Sequence, residues 1–145
     1  MKYDVFSILF WPHMFAELFW ESGLLSMSDK IWLSFHGAYD PAFLMKIMSG
    51  QELPDNMRSF LYRVTVYFGH DVFDVKYLVK SCNGLYGGLE NVAKILKVER
   101  AIGLAHQAGS DSLLIWAVFN KMMNLFFKKG IEFRHARIIC GVQDL

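Results

Sequence analysis

The stretch from Asp111 to Lys129 limits the fold more than any other part of the chain. Leu113 to Phe119, Met122, Met123 and Leu125 to Phe127 cover most of the circumference of a helix. Asn120, Lys121, Asn124 and Lys128 leave one narrow polar stripe. A helix that is apolar nearly all round is expected to be buried on most of its sides. The chain must therefore supply packing surfaces around it. Hydrophobic residues make up 54% of the 145 and aromatics 16%, which suits one domain with a sizeable core and excludes disorder.

The rest of the sequence reads as helices alternating with two strands. Phe15, Leu18 and Phe19 carry helical spacing within Met14 to Leu25, and Ser22-Gly23 stops it. Lys30 to His36 alternates as a strand, with Ile31, Leu33 and Phe35 on one face. Asp40-Pro41 predicts a helix start, a carboxylate cap followed by proline at the first helical position. Phe43, Leu44, Ile47 and Met48 form its apolar stripe, and Ser49-Gly50 ends it. Leu53-Pro54-Asp55 opens a third helix with Met57, Phe60, Leu61 and Val64 in register. After Gly69-His70-Asp71, Val72 to Val75 reads as the second strand, and Asp74 within it reads as a structural residue, either solvated or bonded to nearby backbone. The glycines of Asn83 to Gly88 predict a tight loop rather than a phosphate cradle, because no fuller fingerprint accompanies them. Leu89, Val92, Ala93 and Leu96 then face the core of another helix, on which Glu90 and Lys94 are expected to pair.

This alternation makes the class α/β. Two strands are too few for the sheet such apolar helices need, so the chain reads like part of a larger domain. A net charge of +1 announces no basic nucleic-acid surface. Cys82 and Cys140 have no framework spacing and read as reduced thiols, too few for a zinc site. No run is long and apolar enough for a membrane span. Val5 to Trp11 is cut short by Pro12, and Asp4 and the lack of a small-residue cleavage site argue against a leader.

Chemistry concentrates at helix starts. His106-Gln107-Ala108-Gly109-Ser110-Asp111 sets a histidine five positions before an aspartate. Taken alone, Asp111 reads as a helix cap, Gly109 as a loop bend and His106 as a loop histidine. Asp40 stands where a strand gives way to a helix, the place where open α/β folds bind ligands. Two carboxylates from separate elements suit hard cations such as Mg²⁺ or Mn²⁺. A histidine beside them can take a proton from a metal-bound water.

The run Trp32-Leu33-Ser34-Phe35-His36-Gly37-Ala38-Tyr39-Asp40 and the run His106 to Leu114 resemble, together and in order, the Caf/Pop-type deadenylases. These are the poly(A)-shortening nuclease subunits of the NOT complex. Phe15-Ala16-Glu17-Leu18, Asp74 to Cys82 and Gly87-Gly88-Leu89 are similar as well. The resemblance covers residues 12–145 as a partial ribonuclease H-like exonuclease domain and leaves 1–11 unmatched. It implies 3′-to-5′ hydrolysis of poly(A) RNA, with Asp40 and Asp111 as third and fourth acidic ligands and His106 as general base. It also implies two divalent cations, Mg²⁺ or Mn²⁺, roughly 3.5–4 Å apart, and adenine preference read through strand shape and stacking. A NOT-type scaffold and a second deadenylase subunit would be partners, with no membrane involved, in nucleus and cytoplasm.

The departures set further expectations. The family's first two acids form an Asp-x-Glu motif upstream of everything matched, and this chain has no such motif. Pro41 stands where the family has phenylalanine, a change a helix start tolerates. With half the ligands missing, each cation would have to draw most of its six or so oxygens from water or phosphate. Little or no deadenylase activity is expected of the chain alone, and apolar helix faces should be left exposed. Three readings follow: a truncated poly(A) exoribonuclease, an inactive paralogue that docks on the scaffold, or a fragment with no stable fold.

Overall fold

In the computed structural model, residues 12–143 are described. The expectation of a strand or leader over 1–11 lies outside them. The described residues divide into two compact units, 12–30 with 39–69 and 31–38 with 70–143.

The first unit is helical. It holds α1 (Pro12–Glu21), α2 (Asp40–Ser49) and α3 (Met57–Phe68). Gly23 at φ 71° and a short 3-10 turn over Leu24–Ser26 follow α1. The apolar phase of α1 differs from expectation. Ala16 is buried and Phe19 half-buried, but Phe15 and Leu18 are exposed. On α2, Met45 and Met48 are buried while Phe43 is exposed, so the buried face is turned by about one position from the predicted stripe. Small and flexible side chains occupy the packed faces, where α1 and α2 meet closely. The end of α2 is as read: Gly50 at φ 62° returns its N–H to the Lys46 carbonyl, a left-handed cap open to glycine. The start of α3 needs correction. Asn56, not Leu53-Pro54-Asp55, caps it by accepting from the Ser59 N–H at 2.9 Å. Phe60, Val64 and Phe68 are its buried face.

The second unit contains β1 (Trp32–Ser34) and β2 (Val72–Asp74), paired in parallel with Leu33 opposite Phe73. Helices α4 (Val75–Val79), α5 (Leu89–Leu96) and α6 (Ala108–Phe126) complete it. The α/β class stands. Among the described residues the sheet has two strands. Both are shorter than the sequence patterns, and α4 was not foreseen. Asp74 explains α4: its carboxylate accepts from the Lys76 N–H at 2.9 Å and so caps a helix that begins at the strand's last residue.

The core of this unit joins Phe73, Val75, Leu78, Val92, Leu96, Leu114, Val118 and Met122. Helix α5 presents Val92, Ala93 and Leu96 to it as expected. Helix α6 does not meet the expectation of burial on most sides. Leu114, Val118, Phe119 and Met122 are buried, whereas Leu113, Trp116, Leu125 and Phe126 stay exposed. The exposed apolar faces expected from a short sheet are therefore present. Cys82 and Cys140 are buried and in no disulfide, and burial pushes the Cys82 thiol up to about 11.

Asp74 is almost wholly buried, with 1% of its surface exposed. Besides Lys76, it accepts from the N–H groups of His36, Gly37 and Cys140, each at 3.0 Å. Of the two sequence readings, solvation is overturned by this burial, and bonding to nearby backbone describes one partner, Lys76, while the other three lie far away in the chain.

Candidate functional site

The loop between α5 and α6 is shaped by residues in the left-handed region. Lys97 (φ 56°) ends α5, Gly103 (φ 74°) turns the chain, and His106 (φ 65°) sets up α6. Few non-glycine residues adopt such angles, and histidine is among those enriched there. Gln107 is the cap position of α6 without a side-chain cap bond. Its Oε1 instead accepts from the Leu104 N–H at 2.9 Å.

The helix thus begins three residues before Asp111. Asp111 is not its cap but an acid in its first turn, where the helix dipole favours a negative charge. Gly109 lies within α6 and not in a bend. Ser110, buried, donates to the Ile102 carbonyl and pins the loop to the helix.

His106 and Asp111 are brought together. The His106 backbone N–H donates to Asp111 Oδ2 at 3.1 Å, and the residue itself is exposed. Arg100 takes the other oxygen, with Nη2 2.8 Å from Asp111 Oδ1. The same nitrogen pairs with Glu90, and Nη1 donates to Ser110 Oγ. Glu90 therefore pairs with Arg100 rather than with Lys94 one turn along its own helix. Its carboxylate, then that of Asp111, push the Arg100 guanidinium above its ordinary range, against an opposing effect of burial. Sequence reasoning missed Arg100, because nothing in local spacing links it to partners ten residues to either side.

Asp40 belongs to the first unit, whereas His106 and Asp111 belong to the second. It lies in the first turn of α2 with Tyr39 at the cap position, and no side-chain cap bond forms. The predicted carboxylate cap is therefore corrected. Asp40 is exposed.

No family model matches the chain. Curated proteins and solved structures do. A probable CCR4-associated factor 1 homologue of Arabidopsis thaliana (homolog 7) is 41% identical over 88% of this chain and 46% of its own length. The poly(A) ribonuclease pop2 of Schizosaccharomyces pombe is 36% identical over 90% of this chain and 38% of its own. The structure of S. pombe Pop2p in its Mg²⁺- and Mn²⁺-bound form superposes with a TM-score of 0.80 at 36% identity, covering 88% of this chain and 50% of that one. The chain is a homologue of the Caf1/Pop2 proteins.

It spans less than half the length of the curated Caf1/Pop2 relatives it matches. A chain in the structure of the yeast NOT1 MIF4G domain co-crystallized with CAF1 also matches, with a TM-score of 0.73 at 25% identity. The mixed α/β architecture with its short sheet agrees with the ribonuclease H-like fold of the Pop2 structure.

The donor chemistry here is right in kind for hard cations, a carboxylate beside a histidine, but not in number. Among the described residues no three His, Cys, Asp or Glu side chains gather where one ion could sit. Both oxygens of Asp111 already hold a partner, one of them cationic. The described residues do not by themselves fit a two-cation centre.

Proposed function

We propose that this chain provides one part of a poly(A)-specific 3′-to-5′ exoribonuclease of the Caf1/Pop2 kind. The observation that carries the reading is the match to Pop2 in sequence and fold, together with a loop that joins His106 to Asp111. In this reading Asp40 and Asp111 take the roles of acidic ligands by resemblance alone, and His106 that of the base. The His106 imidazole takes the proton that an attacking water gives up. Mg²⁺ or Mn²⁺ would supply the Lewis acidity of phosphodiester hydrolysis, for which the described residues do not complete a ligand set. Poly(A) RNA is the substrate, and a NOT-type scaffold and a second deadenylase subunit are the partners.

A second reading is favoured by the engaged carboxylate of Asp111: a module that docks on the scaffold without turnover. Shortening of a labelled poly(A) strand by the purified chain, with Mg²⁺ or Mn²⁺ and with Asp111→Ala as control, separates the two. Shortening that the control abolishes makes the chain an enzyme by itself. No shortening, with retention on an immobilised NOT1-type MIF4G domain, supports docking. A folded chain that does neither overturns both.

A further inference from the structure

Arg100 holds the candidate site together in a way that none of the expected roles includes. Its guanidinium joins Glu90 on α5 to Ser110 and Asp111 on α6, and 14% of its side chain is exposed. A planar fork spreads its donors over separate nitrogens in fixed directions and so reaches acceptors on two helices at once, whereas a lysine has all three donors on one nitrogen. With Arg100 on Oδ1 and the His106 N–H on Oδ2, the Asp111 carboxylate is fixed at both ends. The loop that carries His106 is thereby tied to the same anchor, through Asp111 directly and through Ser110 to Ile102.

We propose that Arg100 is the positioning residue of this loop, and that its guanidinium, not a divalent cation, is the resident counter-charge of Asp111 in this chain. The charge balance supports this. A divalent ion approaching Asp111 would meet a positive group already 2.8 Å from one oxygen, and like charges at such range repel. Nor do the described residues offer the further oxygens a hard cation requires. The inference concerns side-chain geometry and does not depend on poly(A) being the substrate.

The test is an amide-resolved NMR experiment on the whole ¹⁵N-labelled chain, with Mn²⁺ as a paramagnetic probe. In the unsubstituted chain the His106 amide is expected downfield and slow to exchange, and submillimolar Mn²⁺ leaves residues 106–112 sharp. Arg100→Gln should abolish the His106 protection. It should also let Mn²⁺ broaden these signals at about tenfold lower concentration, the change expected from about one decade of affinity. Arg100→Lys keeps the charge but not the fork, so it should restore Mn²⁺ exclusion without restoring the His106 amide. An unchanged His106 amide in Arg100→Gln overturns the positioning role. Broadening of 106–112 in the unsubstituted chain at the concentration that affects Arg100→Gln overturns the counter-charge role. Should Arg100→Gln fail to fold, the Mn²⁺ titration of the unsubstituted chain and of Arg100→Lys still decides. A negative poly(A) assay bears on neither outcome.

Discussion

Replacing Asp74 by asparagine tests the organisation of the second unit most directly. The carboxylate accepts four backbone N–H groups, two per oxygen. An amide offers one acceptor oxygen, and its NH₂ must face donors. The cheaper orientation turns the NH₂ toward His36 and Lys76, whose bonds are part-buried and which water can serve, and keeps the oxygen on the buried pair Gly37 and Cys140. Two part-buried bonds at about 0.5–1.5 kcal/mol each, plus the lost charge assistance on the other two, amount to about 2–4 kcal/mol. Asp74→Ala additionally strands the two buried donors at about 1–3 kcal/mol apiece. That approaches the roughly 5–15 kcal/mol available to a whole domain, so this variant should not hold the second unit folded. Urea unfolding followed by circular dichroism measures the difference, read as a shift in midpoint at constant slope. An Asp74→Asn midpoint equivalent to less than about 0.5 kcal/mol, the range of an indifferent surface change, would refute the four-amide account.

Two further predictions concern the thiol and the site loop. Because Cys82 is raised from 9.0 to about 11, the folded state holds its proton more tightly than the unfolded chain. Its contribution to stability is then complete below pH 9 and lost as pH rises toward 11. Slow reaction with a disulfide reagent at pH 8 that accelerates only on unfolding would confirm this, and rapid reaction of the folded chain would contradict it. Gly103→Ala should cost more than Gly84→Ala. Both glycines have positive φ, worth about 1–2 kcal/mol for an added Cβ, but only at 103 would that Cβ meet Gln107 Oε1 at 2.7 Å and the Ser110 Cβ at 2.9 Å. Equal thermal shifts for the two variants would show that the loop yields freely.

What the sequence disclosed about the fold follows physical scale. Helix α5 was legible because Val92, Ala93 and Leu96 obey one period over a short, strongly amphipathic stretch. Gly50 was legible because a left-handed cap is a local demand. The phases of α1 and α2 were not, since side chains as large as Phe15 and Phe43 mark a helix without saying which way it faces. Burial all round α6 failed because Trp116 and Leu113 have no cover among the described residues, a tertiary fact that periodicity cannot express. At the candidate site, His106 and Asp111 were singled out by spacing and meet as neighbours. Arg100 and Glu90 were invisible as a pair, because a guanidinium can bridge two helices from any loop position that lets it reach.

The amide cage of Asp74 also bears on how the chain folds as it is made. Its donors come from residues 36, 37, 76 and 140, and the Arg137 N–H also reaches back to the Val72 carbonyl at 2.7 Å. While the chain emerges from the ribosome, the segment 31–38 must wait through the whole of 39–69 before β2 appears beside it. Even then the aspartate lacks a donor until residue 140 has left the tunnel. Helices α1 to α3 need no such delay, since every residue of this chain assigned to their unit precedes residue 70. Synthesis from the N-terminus would therefore present one settled unit and one waiting unit. In the waiting unit the Asp74 carboxylate stays short of one of its four donors until residue 140 arrives.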